Sequence, residues 1–137
     1  MNVIVIDGQG GNIGKELVKG IKDKYPECYV RAIGTNSAAT SNMLKAGADE
    51  AATGENAVIV GCRNADVIVG PIGIVVPDAL LGEVSTQMAQ AVSRSDAQKV
   101  LVPLNKCDLL ISGTAKKSTK ELLDDAIKMV CDIIKQF

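Results

Sequence analysis

The chain has 137 residues, with 15 Lys and Arg against 16 Asp and Glu, no His, two Tyr, one Phe and no Trp. That balance argues against a general nucleic-acid binder, which needs a basic face for phosphates, and three aromatics argue against a stacking platform for unstacked bases. The missing His rules out a Ser-His-Asp triad, an H-E-x-x-H zinc site and a His general base. The length fits a single domain over residues 1–137, and 47% apolar with 23% charged residues is a globular composition.

Val3-Ile4-Val5-Ile6 is a β-branched run followed by glycines and reads as a buried parallel strand. Residues 13–24 place Ile13, Leu17, Val18 and Ile21 at helical spacing between lysines and acids, an amphipathic helix that Tyr25-Pro26 ends. Residues 29–33 read as a second strand closed by Gly34. Residues 37–46 read as a small-residue helix stopped by Gly47. A short strand is expected within 48–53, then a helix over 55–64 with Thr53 as N-cap. Val67-Ile68-Val69 is an inner strand. After the loop Gly70-Pro71-Ile72-Gly73 comes Ile74-Val75-Val76, which Pro77 keeps out of the sheet centre. Residues 79–93 read as helical with a break near Gly82. Residues 100–102 form another strand, and 109–111 are a candidate for a last one. The terminal helix spans 118–137, with Ser118 and Glu121 in capping-box spacing.

Alternating strands and helices predict an α/β fold: one three-layer Rossmann-like domain with a mainly parallel sheet of five or six strands. Ligands in such folds sit outside the carboxyl ends of the strands, at the switch point. That edge gathers Asp7 to Gly14, Gly34 to Ser37, Thr53 to Asn56, Gly70 to Gly73 and Pro103 to Asp108. The first of these is Asp7-Gly8-Gln9-Gly10-Gly11-Asn12-Ile13-Gly14. Gly8, Gly11 and Gly14 fit G-x-x-G-x-x-G between a strand and an amphipathic helix. Glycine there permits a tight turn, a close backbone approach to phosphate and close helix packing, and the helix N-terminus offers free N–H groups. The alternative is a tight turn that merely packs the helix, with Asp7 bonding loop N–H groups.

The first 35 residues resemble nucleotide-binding Rossmann domains, including atypical and extended short-chain dehydrogenases. The resemblance implies a nucleotide or NAD(P)-like dinucleotide as ligand. The chain departs from that pattern at the end of the second strand. Ile33-Gly34-Thr35-Asn36-Ser37 carries no acid for the ribose hydroxyls, and the Tyr-x-x-x-Lys pair of the dehydrogenases is absent. Asn105-Lys106-Cys107-Asp108 resembles the N-K-x-D guanine motif of GTPases, but Glu16 stands where the P-loop needs Ser or Thr. As a whole, the motifs Asp7-Gly8-Gln9-Gly10-Gly11, Gly34-Thr35-Asn36, Lys45-Ala46-Gly47-Ala48, Thr53-Gly54-Glu55-Asn56-Ala57, Val69-Gly70-Pro71-Ile72-Gly73 and Pro103-Leu104-Asn105 resemble a family of short uncharacterised proteins from anaerobic Firmicutes. That family is a domain of unknown function, and the resemblance implies a small Rossmann-like fold without an established activity.

The candidate binding residues are Gly8, Gln9, Gly10, Gly11, Asn12, Ile13, Gly14, Thr35, Asn36, Ser37, Glu55, Asn56, Gly70, Pro71 and Asn105. They are mostly polar and uncharged, which suits hydrogen-bonded recognition of a nucleotide or other phosphorylated metabolite more than acid–base work. Besides GTP-type binding through the N-K-x-D-like motif Asn105 to Asp108, two alternatives stand beside that reading. One is a structural or regulatory subunit with a vestigial site. The other is an enzyme using Glu55 or Lys106 as acid or base with Cys107 as nucleophile. Four scattered cysteines without C-x-x-C, and an N-terminus without a signal-peptide pattern, predict a cytoplasmic protein with free thiols. No run of about 18 apolar residues suggests a membrane span. The apolar segment 72–81 predicts an exposed patch, and with it a homodimer or larger homo-oligomer.

Overall fold

The computed structural model describes residues 1–104 and 108–137. Five parallel strands form one sheet in the order β3-β2-β1-β4-β5: β1 is Asn2–Asp7, β2 Tyr29–Gly34, β3 Glu50–Thr53, β4 Val67–Pro71 and β5 Gln98–Val102. The central strand is in register with both neighbours, Val5 lying opposite Ala32 on one side and Val69 on the other. Successive side chains of a strand point to opposite faces. Val3 and Val5 therefore pack with Leu17, Val18 and Ile21 of α1 (Asn12–Lys24), Met43 of α2 (Ser37–Lys45) and Leu123, Ile127 and Val130 of α5 (Thr119–Lys135). Ile4 and Ile6 enter the opposite layer, with Val58 and Cys62 of α3 (Glu55–Arg63) and Met88, Ala89 and Val92 of α4 (Thr86–Arg94). A strand buried on both faces needs a continuous apolar run, which is why β1 and β4 read so plainly as strands.

The capping box of Ser118 and Glu121 is formed, and α5 begins at Thr119. Four expectations need correction. Residues 109–111 are not a strand, so the sheet stops at five. The α3 N-cap is Gly54 rather than Thr53, because the backbone turns there at φ 105 and no side chain caps the helix. The helix expected from residue 79 starts only at Thr86. Residues 77–84 make a tight turn instead, with Asp78, Leu80 and Leu81 in the left-handed region. Finally, most of the apolar run is not an outward patch. Ile72–Val75 is a 3-10 turn, and Ile74, Ala79, Leu80 and Val84 belong to the core beneath α4, whereas Leu81 is exposed.

From β1 the chain walks outward to β3, then returns to the far side of β1 to lay down β4 and β5. The order therefore reverses between β1 and β4, and their carboxyl ends diverge into a crevice. No helix among the described residues is long and apolar enough to cross a membrane.

Candidate functional site

The crevice is built on the loop from Asp7 to Gly14. Asp7 is buried at the end of β1. Its Oδ1 accepts from Gly8 N–H at 2.7 Å, and its Oδ2 accepts from Gly14 N–H at 2.7 Å. Gly14 lies in the first turn of α1, whose N-cap, Gly11, has no side chain to offer. Asp7 thus replaces the missing cap from the end of the strand, placing negative charge at the positive end of the helix. Gly11 N–H is bonded to Gly8 O at 2.9 Å. The amides of Gly10, Asn12 and Ile13 have no acceptor among the described residues.

The glycines divide the same way. A Cβ on Gly8 would lie 2.5 Å from Thr35 Oγ1, and one on Gly11 would lie 2.7 Å from Ala39 Cα. One on Gly14 would run into Met43 and Asp7. These three positions are small because protein packs against them. Gly10 is exposed, its hypothetical Cβ comes no nearer than 3.6 Å to Asn12 Nδ2, and its φ is not left-handed. Packing leaves Gly10 unexplained.

A second carboxylate holds the other side of the loop. Glu83 Oε1 accepts from Gln9 N–H at 2.9 Å, Thr35 Oγ1–H at 2.6 Å and Asn36 Nδ2–H at 2.8 Å. Burial pushes the Glu83 carboxyl up, but the bonds from Thr35, Gln9 and Asn36 together hold it below its ordinary value of 4.5. Asn36 also donates to Gln9 O at 2.8 Å and caps α2 by accepting from Ala39 N–H at 2.9 Å. Sequence reasoning missed Glu83. It lies 74 residues beyond Gln9, inside a segment expected to be helical, so no local signal pairs the two.

Residues 7–13 form one wall of the switch-point cleft and residues 71–73 the other, with Leu80, Leu104 and Leu109 closing an apolar side. The cleft holds about 130 Å³ and adjoins a groove of about 700 Å³ bounded by Gln9, residues 76–81, Asp108 and Leu109. Of the expected binding residues, Gly8, Gln9, Gly10, Gly11, Asn12, Ile13 and Pro71 line the cleft. Gly14 is buried on Asp7, and Gly70 is buried in β4. Thr35 and Asn36 stand behind the loop, tied to Glu83, while Ser37 is exposed at the start of α2. Glu55 and Asn56 do not join the cleft. Glu55 Oε2 accepts from Ser85 Oγ–H at 2.5 Å, linking the start of α3 to the N-cap of α4, and Asn56 is exposed. Asn105, Lys106 and Cys107 lie outside the described residues, and with them the expected guanine-type motif and nucleophile. Cys28, Cys62 and Cys131 are free thiols, and burial pushes Cys62 up to about 11.

The chain belongs to the family described as "Domain of unknown function (DUF3842)", which matches residues 2–135. No curated protein matches it. Among solved structures it is similar to a dodecameric FMN-dependent UbiX-like decarboxylase from Escherichia coli O157:H7, at 14% identity and a TM-score of 0.48, over 98% of this chain and 94% of the other.

Proposed function

We propose that this chain is a ligand-binding domain that takes the phosphate of a nucleotide or other phosphorylated metabolite in the switch-point cleft. The observation that carries the reading is the trio of amides at Gly10, Asn12 and Ile13 that have no acceptor among the described residues, at the N-terminus of α1 and on the cleft wall. Backbone N–H groups at a helix start are donors suited to an anion. A cleft of about 130 Å³ is small beside the roughly 300–1,000 Å³ of whole-metabolite sites. It suits the phosphate, and the adjoining groove with its apolar lining suits the ring or chain that the phosphate carries. The described lining holds no Lys or Arg, so among the described residues the donors for an anion are backbone amides.

A thermal-shift panel of inorganic phosphate, NAD, NADP, ATP, GTP, FMN and nucleotide sugars tests this. A ligand at about 100 times its Kd stabilises the folded state by about 2.7 kcal/mol, a rise in Tm on the order of 10 °C for a domain of this size. Gly10→Asp should abolish the shift by setting a carboxylate against the free amides. It should also leave the fold intact, because acids are favoured at helix starts. A panel without any shift would overturn the proposal and favour the vestigial-site reading, to which the capture of loop amides by Asp7 and Glu83 already lends support.

The proposal extends to self-association. Leu81 is 95% exposed at the tip of the turn beside the groove. Leu81 lines the groove together with exposed Pro77 and half-buried Val76, an apolar surface suited to burial against a second copy of the chain. Light scattering should give a particle larger than 14.3 kDa, and Leu81→Asp should reduce it to that mass.

A further inference from the structure

Three donors from separate segments converge on one oxygen: Gln9 N–H from the β1 loop, Thr35 O–H from the end of β2 and Asn36 N–H from the start of α2. Such convergence is the geometry of an oxyanion pocket, because an ionised oxygen accepts shorter and stronger bonds than a neutral one. The oxygen is the chain's own Glu83. We propose that Gln9, Thr35 and Asn36 form a carboxylate-binding pocket that the protein fills with Glu83, fastening the 77–84 turn over the β1 loop.

The turn has the form of a held segment. Asp78, Leu80 and Leu81 adopt φ 68, 56 and 57, followed by Gly82 at φ 87. A non-glycine residue is disfavoured in that region, and two leucines in succession need outside support. Part of it is internal: Asp78 N–H donates to Val84 O, Gly82 N–H to Asp78 O, and Glu83 N–H to Leu80 O. The remainder comes from buried Leu80 and Val84 on either side of Glu83, and from the Glu83 carboxylate itself. The loop is strained at the same contact, since Gln9 is left-handed at φ 50 and is held through its N–H by Glu83 and through its carbonyl by Asn36. Strained residues on both sides of one bond mark a contact that the fold has imposed on its backbone. Gln9 and Leu80 border both the cleft and the groove, so this latch sets the shape of the site.

The inference needs no cleft ligand, so it stands or falls apart from the function proposed above. In Glu83→Ala the pocket is vacated, and formate is the probe. The Gln9 amide should exchange about tenfold to a hundredfold faster than in wild type, the loss expected for one bond to a charged acceptor. Sodium formate should restore its protection, sodium chloride at equal ionic strength should not, and wild type should ignore both. Formate behaving like chloride would overturn the proposal. Should Glu83→Ala fail to fold, Glu83→Gln keeps the shape and removes the charge. Its Gln9 amide proton should then move upfield and exchange faster, while the Gly14 amide, held by Asp7, keeps both values. An unchanged Gln9 amide in Glu83→Gln would overturn the pocket equally.

Discussion

Two strand-to-helix junctions in this fold begin alike and are built on different constraints. At β1–α1 the N-cap is Gly11 and at β3–α3 it is Gly54, both with positive φ and neither with a side-chain cap. Gly11 sits at φ 72 and ψ 17, a left-handed conformation that Asn or Asp also visits, but Ala39 backbone fills the space where a Cβ would go. Gly54 sits at φ 105 and ψ 178, a region almost reserved for glycine, and nothing lies within 4 Å of its missing Cβ. One glycine is required by its neighbours and the other by its own backbone. A glycine motif between strand and helix is therefore not in itself a phosphate signature. In the β1 loop that reading rests on Gly10 and the unbonded amides, since packing accounts for Gly8, Gly11 and Gly14.

The contrast breaks first at Gly11. Gly11→Val should destabilise the fold by about 3 kcal/mol or more, adding overpacking to an unfavourable φ. Ala39→Gly should fail to rescue it in urea melts, because the clash is with the Ala39 backbone. Gly54→Ala should cost about 2 kcal/mol from the backbone alone, and larger side chains at 54 should cost no more than Ala because the space is open. A steep rise with side-chain size at 54 would erase the distinction between the junctions.

A smaller effect lies in acid. The Glu83 carboxyl is held below its ordinary 4.5 in the folded state, so the folded protein favours its ionised form. The stabilisation is complete above the unfolded-state value near 4.5 and is lost as pH falls through the lower folded value. Stability measured from pH 6 downward should fall less steeply below that point in Glu83→Gln than in wild type. Parallel curves would mean that the latch contributes nothing to folding.

The parts of the molecule legible in the sequence are those whose stability is local or periodic. Val3-Ile4-Val5-Ile6 and Val67-Ile68-Val69 announce strands buried on both faces, and Ser118 with Glu121 fixes the start of α5. The segment after β4 was not legible. Ile74, Leu80 and Val84 serve the same core as a helix face would, but from a 3-10 turn and a left-handed turn that leave no period to read. The site divides along the same line. Asp7 bonding the loop was foreseeable from a strand-end acid beside glycines. Glu83 was not, because its three partners come from other elements and meet it only in the folded sheet. Glu83 reaches the end of β2 from the segment between β4 and α4, a meeting that no local pattern encodes.

The central claim is that the switch-point amides without an acceptor among the described residues are the ones that receive an anion. Titration of the 15N-labelled protein with inorganic phosphate tests it residue by residue. The account predicts saturable shifts at Gly10, Asn12 and Ile13, with Gly8 and Gly14 unmoved because Asp7 already holds their protons. Saturable shifts elsewhere with those three amides silent, or no saturable shift at any residue, would contradict it.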